Sequence, residues 1–252
     1  MAWKSKLHHS RWRVATGRLA GFAALGWLWR AKVGPERILC SVPPPARPGV
    51  LWLHGLGDTG DGWRDAFPLQ GIDWYHPTAP QRPVTCNGGM WMTSWFDIQR
   101  LPLDLREPEH PQDMEVSVSD VHKMLQELES KGVSADRVVL GGFSQGGTVS
   151  LQAGLSYHSK LAGIISISGW CANRQDVASW ISPAARETPV LMCCGDGDPL
   201  VDFGLTKTSS EILKKELGDK VEAVYPRRGI HQPVEEELRA VMTFLAKHLT
   251  GD

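Results

Sequence analysis

Apolar positions along the chain fall into short unbroken runs and longer, helically spaced stretches that follow one another in turn. The runs Val50 to Leu53, Ile72 to His76, Arg137 to Leu140, Ala162 to Ser166, Pro189 to Cys193 and Val221 to Tyr225 predict strands. The spaced stretches Asp113 to Lys131, Gly146 to Tyr157, Phe203 to Leu217 and Pro233 to Leu249 predict helices. Strand-helix alternation of this kind predicts an α/β domain, with a mostly parallel sheet covered by helices on both faces. Ligands of such folds bind beyond the carboxyl ends of the strands.

Two segments depart from the rhythm. Val42 to Gly49 carries four prolines and cannot run as helix or central strand, so it connects an expected edge strand, Ile38 to Val42, to the first core strand. Between Pro77 and Pro111 prolines and Asn87-Gly88-Gly89 interrupt the pattern around an apolar cluster, Met90 to Phe96. A long irregular segment with that composition is expected to form a packed cover over a site.

The 252 residues suffice for one substantial core, which predicts one catalytic domain, 36–252, preceded by an extension, 1–35. Net charge is −1 and no zinc-finger or aromatic-basic pattern is present, which argues against nucleic acid as a partner. The five cysteines lack metal-ligand spacing, so neither zinc nor a disulfide framework is expected; they read as buried thiols of a reducing, cytoplasmic compartment. No feature specifies an oligomeric state.

The extension is different in kind. Met1 to Pro35 holds no acid, seven Lys or Arg residues, and an apolar stretch from Leu19 to Trp29, shorter than the ~20 residues that span a bilayer. It fits a signal peptide, an organelle transit peptide, or an interfacial membrane helix carrying Trp3, Trp12, Trp27 and Trp29; a poorly ordered tail is the plainer alternative.

The chemistry centres on Gly141 to Gly147, Gly-Gly-Phe-Ser-Gln-Gly-Gly, which follows the run Val138-Val139-Leu140. Gly142, Ser144 and Gly146 form G-x-S-x-G, in which a strand turns sharply into a helix with serine at the apex, and the N–H of Gln145 faces a developing oxyanion. Such an elbow calls for an acid and then a histidine in later post-strand loops. Gly195-Asp196-Gly197-Asp198-Pro199 and Gly229-Ile230-His231 meet that order, and His248 sits at the end of the last helix instead. Asp196 and Asp198 are two apart, and spacing does not choose between them.

These residues, with Leu53-His54-Gly55-Leu56-Gly57-Asp58-Thr59-Gly60 and Ser94-Trp95-Phe96-Asp97, resemble the acyl-protein thioesterases, part of the phospholipase/carboxylesterase group of α/β-hydrolases. The resemblance covers roughly Val50 to Leu249. It implies the α/β-hydrolase fold, Ser144 as nucleophile, Asp198 as acid, His231 as base, and the N–H groups of Leu56 and Gln145 as oxyanion hole. Trp95 and Leu200 are expected to contact substrate, with a place in the core as the alternative for Trp95, and His54 is expected to brace its loop. No metal or organic cofactor is required. The implied activity is hydrolysis of acyl thioesters, above all S-palmitoyl groups on proteins, with lysophospholipids or short carboxylic esters as alternative substrates. A non-catalytic receptor on the same fold is the rival that the intact Ser144, Asp198 and His231 set argues against. One departure from the family pattern is expected to matter. Gln232 and Pro233 follow His231 where a small polar pair is usual, stiffening that loop and changing the pocket wall.

Overall fold

The computed structural model describes residues 46–106, 111 and 113–250. The expected edge strand Ile38 to Val42 and the extension 1–35 lie outside the described residues. The elements run β1 (Gly49–Leu53), β2 (Asp73–Tyr75), β3 (Gln81–Val84), β4 (Met90–Thr93), α1 (Met114–Ser130), β5 (Val138–Phe143), α2 (Gln145–Ser156), β6 (Gly163–Ile167), α3 (Val177–Trp180), β7 (Val190–Cys193), α4 (Phe203–Leu217), β8 (Val221–Val224) and α5 (Glu235–Leu245). Short 3-10 turns join several of them, and α5 continues into a π-helical turn, Ala246–Thr250.

Six strands form one parallel sheet in the order β2-β1-β5-β6-β7-β8. Its central strands are apolar at successive positions because each face meets its own layer. Val50, Trp52, Val139, Ile165 and Leu191 pack on one side with Trp63, Phe67 and the α5 residues Val241, Phe244 and Leu245. Leu51, Leu53, Leu140, Ile164 and Met192 pack on the other with residues of α1, α2 and α4. Val121, Leu125 and Leu128 of α1 recur at i, i+4 and i+7, which places them on one helical stripe. Each such leucine, fully buried, contributes about 1.5–3 kcal/mol.

The segment expected to be irregular contains an antiparallel pair, β3 with β4. Pro83 within β3 and the absence of polar-apolar alternation in Met90-Trp91-Met92 hid it, but a two-stranded ribbon has free edges that tolerate proline. No described helix is long and apolar enough to cross a membrane. The four cysteines among the described residues are free thiols, and Cys171, Cys193 and Cys194 are buried.

Sheet order sets the location of the site. From β1 the chain first adds β2 on one side and later β5 on the other, so the segments leaving the carboxyl ends of β1 and β5 diverge and open a crevice. Leu53 to Leu56 and Phe143 to Gln145 lie at those ends.

Candidate active site

Ser144 stands between β5 and α2 with φ 54° and ψ −118°, a conformation that costs a non-glycine residue on the order of 1–3 kcal/mol. The surroundings hold it there. Its N–H donates to the Ile167 carbonyl at 2.7 Å. A Cβ at Gly142 would lie 2.5 Å from Gly146 carbon, and one at Gly146 would lie 2.3 Å from the Leu53 carbonyl oxygen. The two glycines thus let α2 start flush against β5 and β1.

The acid and the histidine leave β7 and β8. His231 Nδ1–H donates to Asp198 Oδ2 at 2.7 Å, while Asp198 Oδ1 accepts from the N–H groups of Leu200 at 2.9 Å and Val201 at 3.0 Å. With its proton on Nδ1, the imidazole has Nε2 free to accept another. The Asp198 side chain is sealed from solvent. Burial alone would raise its pKa; the bonds from His231, Val201 and Leu200 outweigh burial and hold it below the ordinary value. Asp196 is exposed and accepts the Arg228 N–H, tying the acid loop to the histidine loop. The loops touch at glycines as well: a Cβ at Gly195 would sit 2.3 Å from Gly229 Cα. Geometry therefore separates two acids that spacing left equivalent.

Ser144 and His231 share a cavity of about 430 Å3, whose other walls include Leu56, Met92, Ile98, Leu101, Leu103, Leu200, Gln232 and Pro233. Its size falls in the range of small-molecule sites, and its lining is mainly apolar. Among the described residues no hydrogen bond joins Ser144 to His231, a contact that characteristically tightens when substrate arrives. A second cavity of about 420 Å3, by Met114, Gln152 and Trp180, contains none of these groups.

The expected cover splits three ways. Met92 lines the cavity, Met90 and Trp91 are 62% and 68% exposed, and Trp95 and Phe96 are buried. Trp95, expected to contact substrate, is absent from the cavity wall; it is 1% exposed, and its indole N–H donates to the His54 carbonyl at 2.9 Å. Leu200 does line the cavity. Leu101 and Leu103 belong to the wall as well, and Leu103 is fixed by its N–H to the Leu200 carbonyl at 2.8 Å.

His54 is buried with both ring nitrogens engaged. Nε2 accepts the Ala79 N–H at 2.9 Å, so the proton resides on Nδ1, which donates to the Gly55 carbonyl at 2.7 Å. Burial lowers its pKa against the raising effects of that bond and of Asp58, so it is a neutral brace. Leu56 and Gln145 N–H groups have no protein acceptor among the described residues.

Glu237 lies outside every motif in the sequence. It lies in the first turn of α5, 1% exposed, with Oε2 accepting the Val234 N–H at 3.0 Å and Oε1 buried without a partner. Burial drives its pKa up to about 7; the Val234 bond and His231 oppose that rise, and the charges of Asp198 and Glu236 add to it. A signal for it existed: Glu237, Val241 and Phe244 recur at i, i+4 and i+7 on the buried face.

The model of the phospholipase/carboxylesterase family matches residues 37–249. Acyl-protein thioesterase 1 of Gibberella zeae is 40% identical over 212 residues, covering 79% of this chain and 90% of the relative. Among solved structures, Arabidopsis thaliana SOBER1 superposes with a TM-score of 0.76 at 30% identity, covering 81% of this chain and 100% of that one. Zea mays acyl-protein thioesterase 2 gives 0.69 at 29% identity, covering 81% and 94%. A six-stranded parallel sheet with an elbow serine at its switch point accompanies these likenesses, and the chain belongs to the phospholipase/carboxylesterase family of α/β-hydrolases as a serine esterase.

Proposed function

We propose that this esterase removes S-acyl groups from proteins through a Ser144-His231-Asp198 triad and an acyl-enzyme. The observation that carries the reading is the Asp198-His231 hydrogen bond at the edge of an apolar cavity that Ser144 also lines. Relatives named acyl-protein thioesterase supply the substrate class.

In this mechanism His231 Nε2 takes the Ser144 Oγ proton as the oxygen bonds to the thioester carbon. The N–H groups of Leu56 and Gln145 hold the resulting oxyanion, Gln145 standing at the N-terminal end of α2 where N–H groups lack intrahelical partners. The C–S bond breaks, and the departing thiolate takes the proton from the imidazolium. Water, deprotonated by the same Nε2, then attacks the Ser144 ester; the acyl–Oγ bond breaks, the imidazolium returns the proton to Ser144 Oγ, and the carboxylic acid leaves. Asp198 holds the imidazole in the tautomer that each transfer needs and stabilises its cationic form. The apolar wall receives the acyl chain, each buried methylene contributing about 0.8 kcal/mol. Association of the protein with a membrane surface through residues 1–35 would bring the site to lipidated substrates.

The test is hydrolysis by the purified full chain of a peptide carrying one S-palmitoyl cysteine, beside Ser144→Ala and a lysophospholipid. Ser144-dependent thioester cleavage with a higher kcat/KM than for the lysophospholipid supports the reading. Lysophospholipid turnover without thioester cleavage replaces it with a lipase.

A further inference from the structure

The two N–H groups assigned to the oxyanion come from segments far apart in sequence, the loop after β1 and the start of α2. A hole made of two independent loops is useful only if something fixes their separation, since the donors must meet an oxygen that exists only in the transition state. Trp95 lies between them, buried, and is bonded to both.

On one side its main-chain N–H donates to Gln145 Oε1 at 2.9 Å. The amide of Gln145 then donates from Nε2 to Ser94 Oγ at 2.9 Å and to the Phe96 carbonyl at 2.6 Å, so both its ends are committed to the Ser94-Trp95-Phe96 segment. On the other side the indole N–H donates to the His54 carbonyl at 2.9 Å, and the indole lies 5.4 Å from the His54 ring. His54 carries that constraint one residue further, because its Nδ1–H holds the Gly55 carbonyl. The Gly55 carbonyl and the Leu56 N–H are opposite ends of one planar trans peptide, so fixing the direction of the carbonyl fixes the direction of the donor. Ser117 Oγ donates to the Trp95 carbonyl and anchors the segment to α1.

We propose that Trp95 is a positioning residue of the oxyanion hole, its two N–H groups setting the loop that carries Leu56 and the helix start that carries Gln145 at one fixed separation. The inference rests on the reading of Leu56 and Gln145 as oxyanion donors. It gives the indole N–H a role that a purely apolar side chain filling the same volume could not supply, the bond to the His54 carbonyl. It also gives the Gln145 side chain a purpose separate from its main-chain N–H.

Trp95→Phe keeps an aromatic ring and the main-chain bond to Gln145 while deleting the bond to His54. Loosening one donor segment is expected to lower kcat about 10- to 100-fold, with KM within about twofold. Affinity for a trifluoromethyl ketone analogue of the tetrahedral intermediate should fall in proportion to kcat/KM, while affinity for the product fatty acid stays constant. A thermal melt by circular dichroism checks folding; if Trp95→Phe is unfolded, Gln145→Met cuts the same circuit from its other end and takes over the same measurements. Unchanged kcat and analogue affinity in a folded variant would overturn the proposal, as would a raised KM with unchanged kcat, which would make Trp95 a substrate contact. Ser144→Ala and the wild type run alongside separate the two levels. Ser144-dependent turnover with tight analogue binding by the wild type but no effect of Trp95→Phe rejects only the positioning role. A wild type that fails to bind the analogue rejects the oxyanion assignment itself.

Discussion

Asp198→Asn puts the triad reading to a quantitative test. The carboxylate accepts three hydrogen bonds, from His231 Nδ1 and from the N–H groups of Leu200 and Val201. An asparagine can keep its oxygen on the two backbone donors, but its NH2 then faces Nδ1, which must become an acceptor. The imidazole proton moves to Nε2, the atom that has to receive the Ser144 proton. Loss of a charge-assisted hydrogen bond alone, about 1.5–3 kcal/mol, would lower kcat some 10- to 150-fold. The wrong tautomer brings the expected loss to about 10^4-fold, or about 5 kcal/mol in the barrier. Asp196→Asn is the internal control, because it retains an oxygen for the Arg228 N–H and leaves the tautomer alone; its kcat should stay within about threefold of wild type. Initial rates on a short-chain p-nitrophenyl ester at pH 8, with thermal melts to confirm folding, read both. A kcat for Asp198→Asn above one tenth of wild type, or an equal loss in Asp196→Asn, would refute the reasoning.

Gly195→Ala adds a methyl that would sit 2.3 Å from Gly229 Cα, forcing the acid and histidine loops apart; kcat should drop at least about tenfold, with a thermal melt showing a far smaller relative change. Burial pushes the Glu237 carboxyl up to about 7 in the folded chain, from an ordinary value of 4.5. Between those pH values the unfolded chain gives up its proton first, so stability falls as pH rises, by on the order of 3 kcal/mol at most. Glu237→Gln removes that slope: calorimetry should show it gaining stability over wild type at pH 8 and little at pH 4.5, and an equal gain at both would contradict the assignment. Ile98 lines the cavity, so Ile98→Trp should shorten the space for an acyl chain and lower the octanoyl-to-butanoyl ratio of kcat/KM about tenfold or more, at about 0.8 kcal/mol for each methylene displaced.

Much of the fold was legible because burial on both faces leaves a local trace. The runs that predict β1, β5, β6 and β7 are apolar at successive residues, and α4 occupies the predicted Phe203 to Leu217. The hairpin of β3 and β4 left no such trace, since neither face of a small ribbon imposes alternation. Within the site, the order Ser144, Asp198, His231 can be read from loops that follow strands, yet the choice between Asp196 and Asp198 depends on which carboxylate faces the neighbouring loop. Sequence leaves Trp95 open between substrate contact and core for a related reason. Composition marks an aromatic residue in a cover segment, but its direction is set by the Gln145 amide, 50 residues away, and by the His54 carbonyl.

Sheet order shows which meetings come easily and which do not. Asp198 and His231 follow the neighbouring strands β7 and β8, so their contact needs only two adjacent loops. Ser144 follows β5, three strand spacings from β8, about 14 Å in the plane of the sheet. The histidine loop must therefore reach back over the ends of β7 and β6. It does so pressed onto the acid loop at Gly229 and Gly195, latched by the Arg228 N–H on Asp196, and with the His231 ring 4.8 Å from Phe143. Gly195, Gly229, the side-chain oxygen of Asp196 and Phe143 all meet the histidine loop along that reach. A side chain at either glycine would meet the backbone of the other loop, its Cβ lying 2.3 Å from that backbone at Gly195 and 2.4 Å at Gly229, and is therefore expected to displace His231 from its approach to β5 and to lower activity more than stability.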